Sequence, residues 1–168
     1  MKKTIIILCI ILLLLTGCKN TTNTPSNRVE KFLHDYQNLD SRVMERLEKE
    51  AKEKNLSKKQ KEKYKTLMKK QYQNLSYKIK NEEVNKDKAI VDVEIEVLNY
   101  NSSILNSKAY YDNHKDEIEN YNEYMLSELE KVSNKIKYSI SFNLTEYDGF
   151  WEIEDVDNYT IRKIHGLY

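Results

Sequence analysis

Twice along this chain the spacing of apolar residues switches from helical to alternating, and those two switches constrain the fold more than any other feature. In the first, Leu75, Tyr77 and Ile79 alternate with Ser76, Lys78 and Lys80. After Asn85-Lys86-Asp87, the residues Ala89, Val91, Val93, Ile95 and Val97 then alternate with Asp92, Glu94 and Glu96. Alternation puts one set of side chains on each face of a strand, so the pattern predicts a hairpin with one dry and one wet face. Matching the dry faces sets Ile79 opposite Val93, Lys78 opposite Glu94 and Lys80 opposite Asp92. In the second switch, Ile136, Tyr138, Ile140, Phe142 and Leu144 alternate, Asp148-Gly149 is the favoured two-residue turn, and Trp151 and Ile153 resume the apolar face. This hairpin pairs Leu144 with Ile153 and Glu146 with Trp151, and collects Ile140, Phe142, Leu144 and Trp151 on one side.

Helical spacing fills the rest. Asn27-Arg28-Val29-Glu30 has the spacing of a capping box, and Val29, Phe32, Leu33, Tyr36, Leu39, Val43, Leu47 and Ala51 recur at three and four residues, which predicts one long amphipathic helix. Asn55-Leu56 interrupts it. Ser57 and Gln60 form a second box before Tyr64, Leu67, Met68 and Tyr72. A third helix is expected to open at Ser102 or Ser103, with a weak pattern that becomes clear from Ile118 through Tyr121, Met125, Leu129 and Val132. The tail from Asp155 to Tyr168 carries enough apolar residues to dock, but no pattern that selects helix or strand. The order helix, helix, hairpin, helix, hairpin defines an α+β fold, a curved antiparallel sheet of two hairpins packed on three helices.

At the N-terminus Lys2-Lys3 precedes Ile5 to Leu15, a run without a polar side chain, and then Leu15-Thr16-Gly17-Cys18. A basic start, a short apolar core and small residues at a cut site make a secretory signal, and the run is well short of the roughly 20 residues a membrane-spanning helix needs. Here the chain resembles bacterial lipoproteins, whose lipobox ends in a small residue followed by cysteine. The resemblance implies cleavage between Gly17 and Cys18 and attachment of a diacylglycerol, with palmitate-class acyl chains, to the Cys18 thiol, which would hold the protein on the extracytoplasmic face of the cell membrane. Residues 1–17 are then the signal peptide, 18–27 the lipidated cysteine and a polar tether, and 28–168 a single domain. Cys9 and Cys18 are the only cysteines, so neither a disulfide nor a thiol nucleophile is left for that domain, whose stability must come from its core. Loss of Lys2 and Lys3 takes 28 basic residues to 26 against 27 acidic, a balance that gives no reason to expect nucleic acid as a partner.

The succession of elements, with Val91-x-Val93-x-Ile95-x-Val97 ahead of the third helix and Ile140-x-Phe142-x-Leu144 ahead of Asp148-Gly149-x-Trp151-x-Ile153, looks like the nuclear transport factor 2-like, or cystatin-like, cone-shaped roll. It is similar in this to uncharacterised lipoproteins of low-GC Gram-positive bacteria. The resemblance implies a sheet curling on its helices around a cavity, which some members use for catalysis, others for a ligand, and others fill as core; many members dimerise through the sheet. Fold analogy does not choose among these.

The chemistry-bearing residues are sparse. His34, His114 and His165 lie far apart, and none is at metal-ligand spacing from another. Asp92, Glu94 and Glu96 on one strand and Glu152, Glu154, Asp155 and Asp157 on another read as solvated faces opposite lysines, since a calcium loop would need a glycine turn and a distal bidentate glutamate. Ten lysines against three glutamates between Lys49 and Lys70 read as a wet helix face, with attraction to anionic headgroups as the competing reading. Phe32, Tyr36, Phe142 and Trp151 are the candidate pocket, with plain core as the competing reading, and Tyr110 and Tyr111 are expected to be exposed. No catalytic residue, metal site or cofactor is assigned. The reading is a membrane-anchored, non-catalytic binding or adaptor module at the cell envelope, meeting an envelope protein or a glycan. A small cavity enzyme and a homodimerising structural part of an envelope assembly stay open as alternatives.

Overall fold

The computed structural model describes residues 23–168; the expected signal peptide, the expected cleavage site at Gly17 and the expected lipid attachment at Cys18 lie outside them. The first helix, α1, runs Pro25–Gln37. Its N-cap is Thr24, whose hydroxyl accepts from the Asn27 N–H at 3.1 Å, and Pro25 takes a first-turn position where no N–H is needed. The expected box at Asn27 is therefore not the start, and residues assigned to the tether belong to the helix. The single long helix expected through Ala51 is also two. Leu39 turns left-handed at φ 56°, and the Asp40 carboxylate accepts from the Arg42 N–H at 3.0 Å to open α2, Ser41–Glu53. Apolar spacing hid the break because both halves bury their stripe in one core. The box at Ser57 and Gln60 does open α3, Lys58–Gln73, with both reciprocal bonds formed.

The sheet has strand order β1-β2-β3-β4, antiparallel throughout. In the first hairpin, β1 (Ser76–Asn85) and β2 (Lys88–Leu98) set Ile79 opposite Val93 and Lys78 opposite Glu94, as the alternation predicts. Lys80 does not face Asp92. A bulge follows Ile79, Asn81 takes that place, and the Lys80 ammonium reaches Glu94 at 3.3 Å. Strand β3 (Lys135–Tyr147) pairs along β2, and β4 (Phe150–Ile153) returns along β3 with Leu144 opposite Ile153 and Glu146 opposite Trp151. Asp148 and Gly149 sit at φ 49° and 79°, the left-handed pair that a tight hairpin turn requires.

Between the hairpins the expected third helix is two helices, α4 (Tyr100–Asn113) and α5 (Tyr121–Lys131), capped by Asn99 and Asn120. The undecided tail forms α6, Asn158–Ile164, capped by Asp157. The described residues thus hold six helices rather than three, because asparagine and aspartate side chains supply N-caps that interrupt a pattern otherwise readable as continuous. Helix α1 lies across the dry face of the sheet, touching β1, β2 and β4, while α3 bridges α1, α2, α5 and β2. The core they close includes Val29, Leu33, Val91, Ile95, Leu126, Leu144 and Ile164, all at full or nearly full burial. Each such side chain contributes about 1.5–3 kcal/mol.

The C-terminus is pinned rather than draped. After α6 the Gly166 N–H bonds the Lys163 carbonyl and the Leu167 N–H bonds the Arg162 carbonyl, both at 2.9 Å, the double bond pattern of a glycine-ended helix. Gly166 at φ 65° lies against the Leu98 carbonyl and the Gln71 amide. Gln71, fully buried, accepts from the Leu98 N–H at 3.0 Å and donates to the Leu98 carbonyl at 2.9 Å. Leu98, the last residue of β2 to pair with β3, lies past the end of the β1–β2 pairing, which stops at Ser76 and Glu96, and the Gln71 side chain satisfies both of its backbone groups.

Candidate functional site

Where α1 and α2 approach β4 and α6 they leave a groove of about 900 Å³, within the 300–1,000 Å³ range of small-ligand sites. Its apolar floor is Phe32, Ile153, Val156 and Ile161, and charged groups on α1, α2 and α6 rim it. A smaller cavity of about 110 Å³ adjoins it, sharing Arg28, Phe32 and Arg46. A separate apolar cavity of about 270 Å³ lies under α3, α4 and α5, lined by Leu67, Met68, Tyr100, Ile104, Met125 and Leu129.

The deepest polar group in the large groove is His165, the C-cap of α6, only 3% exposed. Its Nε2 is 2.9 Å from the Tyr72 hydroxyl, and its Nδ1 is 3.7 Å from Glu50. With the proton on Nδ1 facing the carboxylate, Nε2 accepts from Tyr72. Burial drives the His165 pKa down to about 4, against the opposing pull of Glu50, with Lys54 and Arg46 adding to the depression. Burial, then the nearby Glu50 charge, pushes the Tyr64 phenol far above its ordinary value, and that phenol donates to Glu50. Burial likewise raises Tyr72 far above the usual range, and raises Tyr100, which donates to the Leu67 carbonyl at 3.1 Å, to about 12. At neutral pH the His165–Tyr72 pair is an uncharged hydrogen bond, and transferring a proton between the two would create an ion pair in a dry interior.

Of the aromatic residues singled out in the sequence, Phe32, Tyr36 and Phe142 meet: Phe32 packs edge-on against Tyr36 at 5.4 Å and Phe142 at 5.6 Å between centroids. Tyr36, Phe142 and Trp151 are buried, and Trp151 joins no ring pair among the described residues. Phe32 opens onto both the groove and the small cavity, and Tyr36 onto the small cavity alone. Tyr110 is exposed and stacks on His114 at 3.9 Å. The acidic strand residues find partners on the wet face: Asp92 accepts from the Ser141 hydroxyl, and Glu94 sits between Lys80 and Lys137. Among the described residues no three His, Cys, Asp or Glu gather closely enough to hold a metal. Several lysines of the Lys49–Lys70 stretch are neutralised locally, Lys63 by Glu130, Lys65 by Glu48 and Glu62, and Lys54 by Glu50.

Sequence spacing did not reveal the arginines. Arg28 and Arg46 lie on different helices, and only the break at Leu39, invisible in the periodicity, folds α2 back so that both line one opening. His165 gave no signal either, because the tail had no readable pattern.

Fold and groove together define an α+β protein whose helices cover one face of an antiparallel sheet and frame a ligand-sized cleft. The chain matches no protein-family model, and no curated protein matches its sequence. Among solved structures it is similar to YcdA, a candidate lipoprotein of Bacillus subtilis subsp. subtilis str. 168, at 19% identity and a TM-score of 0.42, over 67% of this chain and 38% of that one. The chain spans well under half the length of that protein.

Proposed function

We propose that this chain is a lipid-anchored protein of the extracytoplasmic membrane face, which uses the groove between α1, α2 and α6 to bind a ligand or a partner. The anchor reading is carried by Leu15-Thr16-Gly17-Cys18 at the end of an apolar run too short to span a bilayer. Among the described residues no helix is long and apolar enough to cross a membrane. The tether is short: α1 is capped at Thr24, so Lys19 to Asn23, at about 3.5 Å per residue, would hold the domain within roughly 20 Å of the lipid. The nuclear transport factor 2-like roll stays part of this reading, supported by helices covering one face of a sheet made from two hairpins.

Binding fits the groove better than catalysis does. Its most reactive side chain, His165, is neutral, nearly inaccessible and already engaged by Tyr72, whereas a general base works best when its pKa lies near the operating pH and it can reach the substrate proton. Radiolabelled palmitate should appear on the wild-type chain and not on Cys18→Ser, and the variant should leave the membrane fraction. A photo-crosslinking residue at Asp155, on the groove rim, should capture an envelope component in cells. Unlabelled wild-type protein refutes the anchor, and capture no greater than from the same residue at exposed Lys59 refutes the groove.

A further inference from the structure

The charges around the groove are not evenly paired. Glu50 is engaged by the Tyr64 hydroxyl and by Lys54 at 3.4 Å, and Glu154 by Lys88 at 2.9 Å and Thr145 at 2.8 Å. In the adjoining small cavity Arg42 is held by Asp35 at 2.9 Å and Asp40 at 3.4 Å. Arg28 and Arg46 line both openings, yet among the described residues neither guanidinium has a carboxylate partner. Arg46 is aimed instead by a neutral bond, its Nη1 donating to the Tyr36 hydroxyl at 3.0 Å. Lys49, exposed on the same rim, also lacks a carboxylate partner among the described residues. The acidic groups left without an ion pair are Glu53 and Asp155, which line the large groove and not the small cavity.

A guanidinium presents a planar fork of donors that matches the oxygens of a carboxylate or phosphate. Two such forks, from separate helices, over a cavity floored by Phe32 make a site for an oxyanion whose apolar portion continues onto Ile153, Val156 and Ile161. We propose that Arg28 and Arg46 bind the phosphate or carboxylate group of a small amphipathic ligand, with the rest of that ligand lying along the floor of the groove. This rests on the reading of the groove as a binding site and adds the chemical class of what binds there.

The test uses the full chain in phosphatidylcholine nanodiscs, with hexyl phosphate, hexanoate and hexanol as calorimetric probes. Hexyl phosphate or hexanoate should bind one-to-one, with affinity falling about tenfold in Arg28→Gln and in Arg46→Gln and unchanged in Lys59→Gln, since each arginine supplies a charge-assisted contact. Arg28→Gln is the cleaner variant, because its side chain holds nothing else among the described residues; an unchanged urea midpoint confirms that it folds. Arg46→Lys keeps the charge without the fork and should recover only part of the affinity. Hexanol binding as tightly as the anions overturns the oxyanion proposal while leaving the groove as a ligand site. Binding of no probe, or anion binding indifferent to both arginines, also overturns it, whatever the Asp155 crosslink shows. Phosphatidylglycerol in the disc that competes through Arg28 supports the proposal with a lipid headgroup as the source, and unaltered hexyl phosphate affinity supports it with a soluble ligand.

Discussion

Two glycines share a left-handed backbone and differ in everything around them, which makes them a controlled pair. Gly149 has φ 79°, and a Cβ built there meets nothing within 4 Å. Gly166 has φ 65°, and its Cβ would lie 2.1 Å from the Leu98 carbonyl oxygen and 2.2 Å from the Gln71 amide nitrogen. Alanine at either position carries the left-handed penalty of about 1–2 kcal/mol. At Gly166 it must also push apart the Gln71–Leu98 clamp, whose buried donor and acceptor cost about 1–3 kcal/mol each when left unsatisfied. Gly149→Ala should therefore cost about 1 kcal/mol and Gly166→Ala at least about 3 kcal/mol, separating their melting temperatures by roughly 6 °C for a domain of this size. The single tryptophan, Trp151, is 8% exposed and reports unfolding in urea by fluorescence. Equal losses for the two variants would refute the clamp. So would a Gln71→Met variant that leaves stability unchanged, since it keeps volume but removes both bonds.

The remaining predictions concern charge and turns. His165 has a folded pKa of about 4 against an ordinary 6.5; below 6.5 the unfolded chain takes up a proton that the folded one refuses, so stability is full above pH 6.5 and falls by about 3 kcal/mol as pH drops to 4. Carboxylates held below their ordinary range, such as Glu48 by Lys65 and Glu154 by Lys88, lose their contributions only as pH falls past about 4.5; urea titrations of wild type and His165→Asn between pH 5 and 7 should thus differ in slope. Glu94 pairs with Lys80 and Lys137 but not with Lys78, so Lys80→Gln should shift the urea midpoint at low salt, with the shift disappearing at high salt, while Lys78→Gln leaves it in place. Lys86, exposed in the first hairpin turn at φ 56°, should gain up to about 1 kcal/mol as glycine by relief of left-handed strain; Leu39→Gly, at the same φ, forfeits core packing and should not share the gain.

The two hairpins were legible because alternation and turn chemistry agree at each position. Asp148-Gly149 fixes the second register from a two-residue turn alone, and the apolar match of Ile79 with Val93 fixes the first up to the bulge. The bulge escaped because Lys80, Asn81, Glu82 and Glu83 are all polar, so sliding one residue changes no burial. Helix number escaped for a different reason. Leu39 between Asn38 and Asp40 sits on the same apolar stripe that a continuous helix would bury, and only its left-handed backbone, which the sequence spacing cannot report, turns the chain.

The site was hidden by the same break. Arg28 and Arg46 are eighteen positions apart, and in one uninterrupted helix, at 1.5 Å rise per residue, their Cα atoms would stand about 27 Å apart along the axis. The turn at Leu39 brings both to one small cavity. The same turn lets α2 deliver Glu50 toward His165 and Arg46 toward Tyr36, so a backbone feature of one residue assembles both the polar interior and the cationic rim. A substitution that straightened α1 into α2 would therefore remove the Arg46–Tyr36 bond and the oxyanion site together, while the hairpin registers, set on the far side of the core by β1 to β4, would survive. Glu50 and Lys54 would leave His165 in the same step, so the pH dependence of stability between 6.5 and 4 would change along with ligand affinity. A groove built independently of the Leu39 turn would let the two properties vary separately.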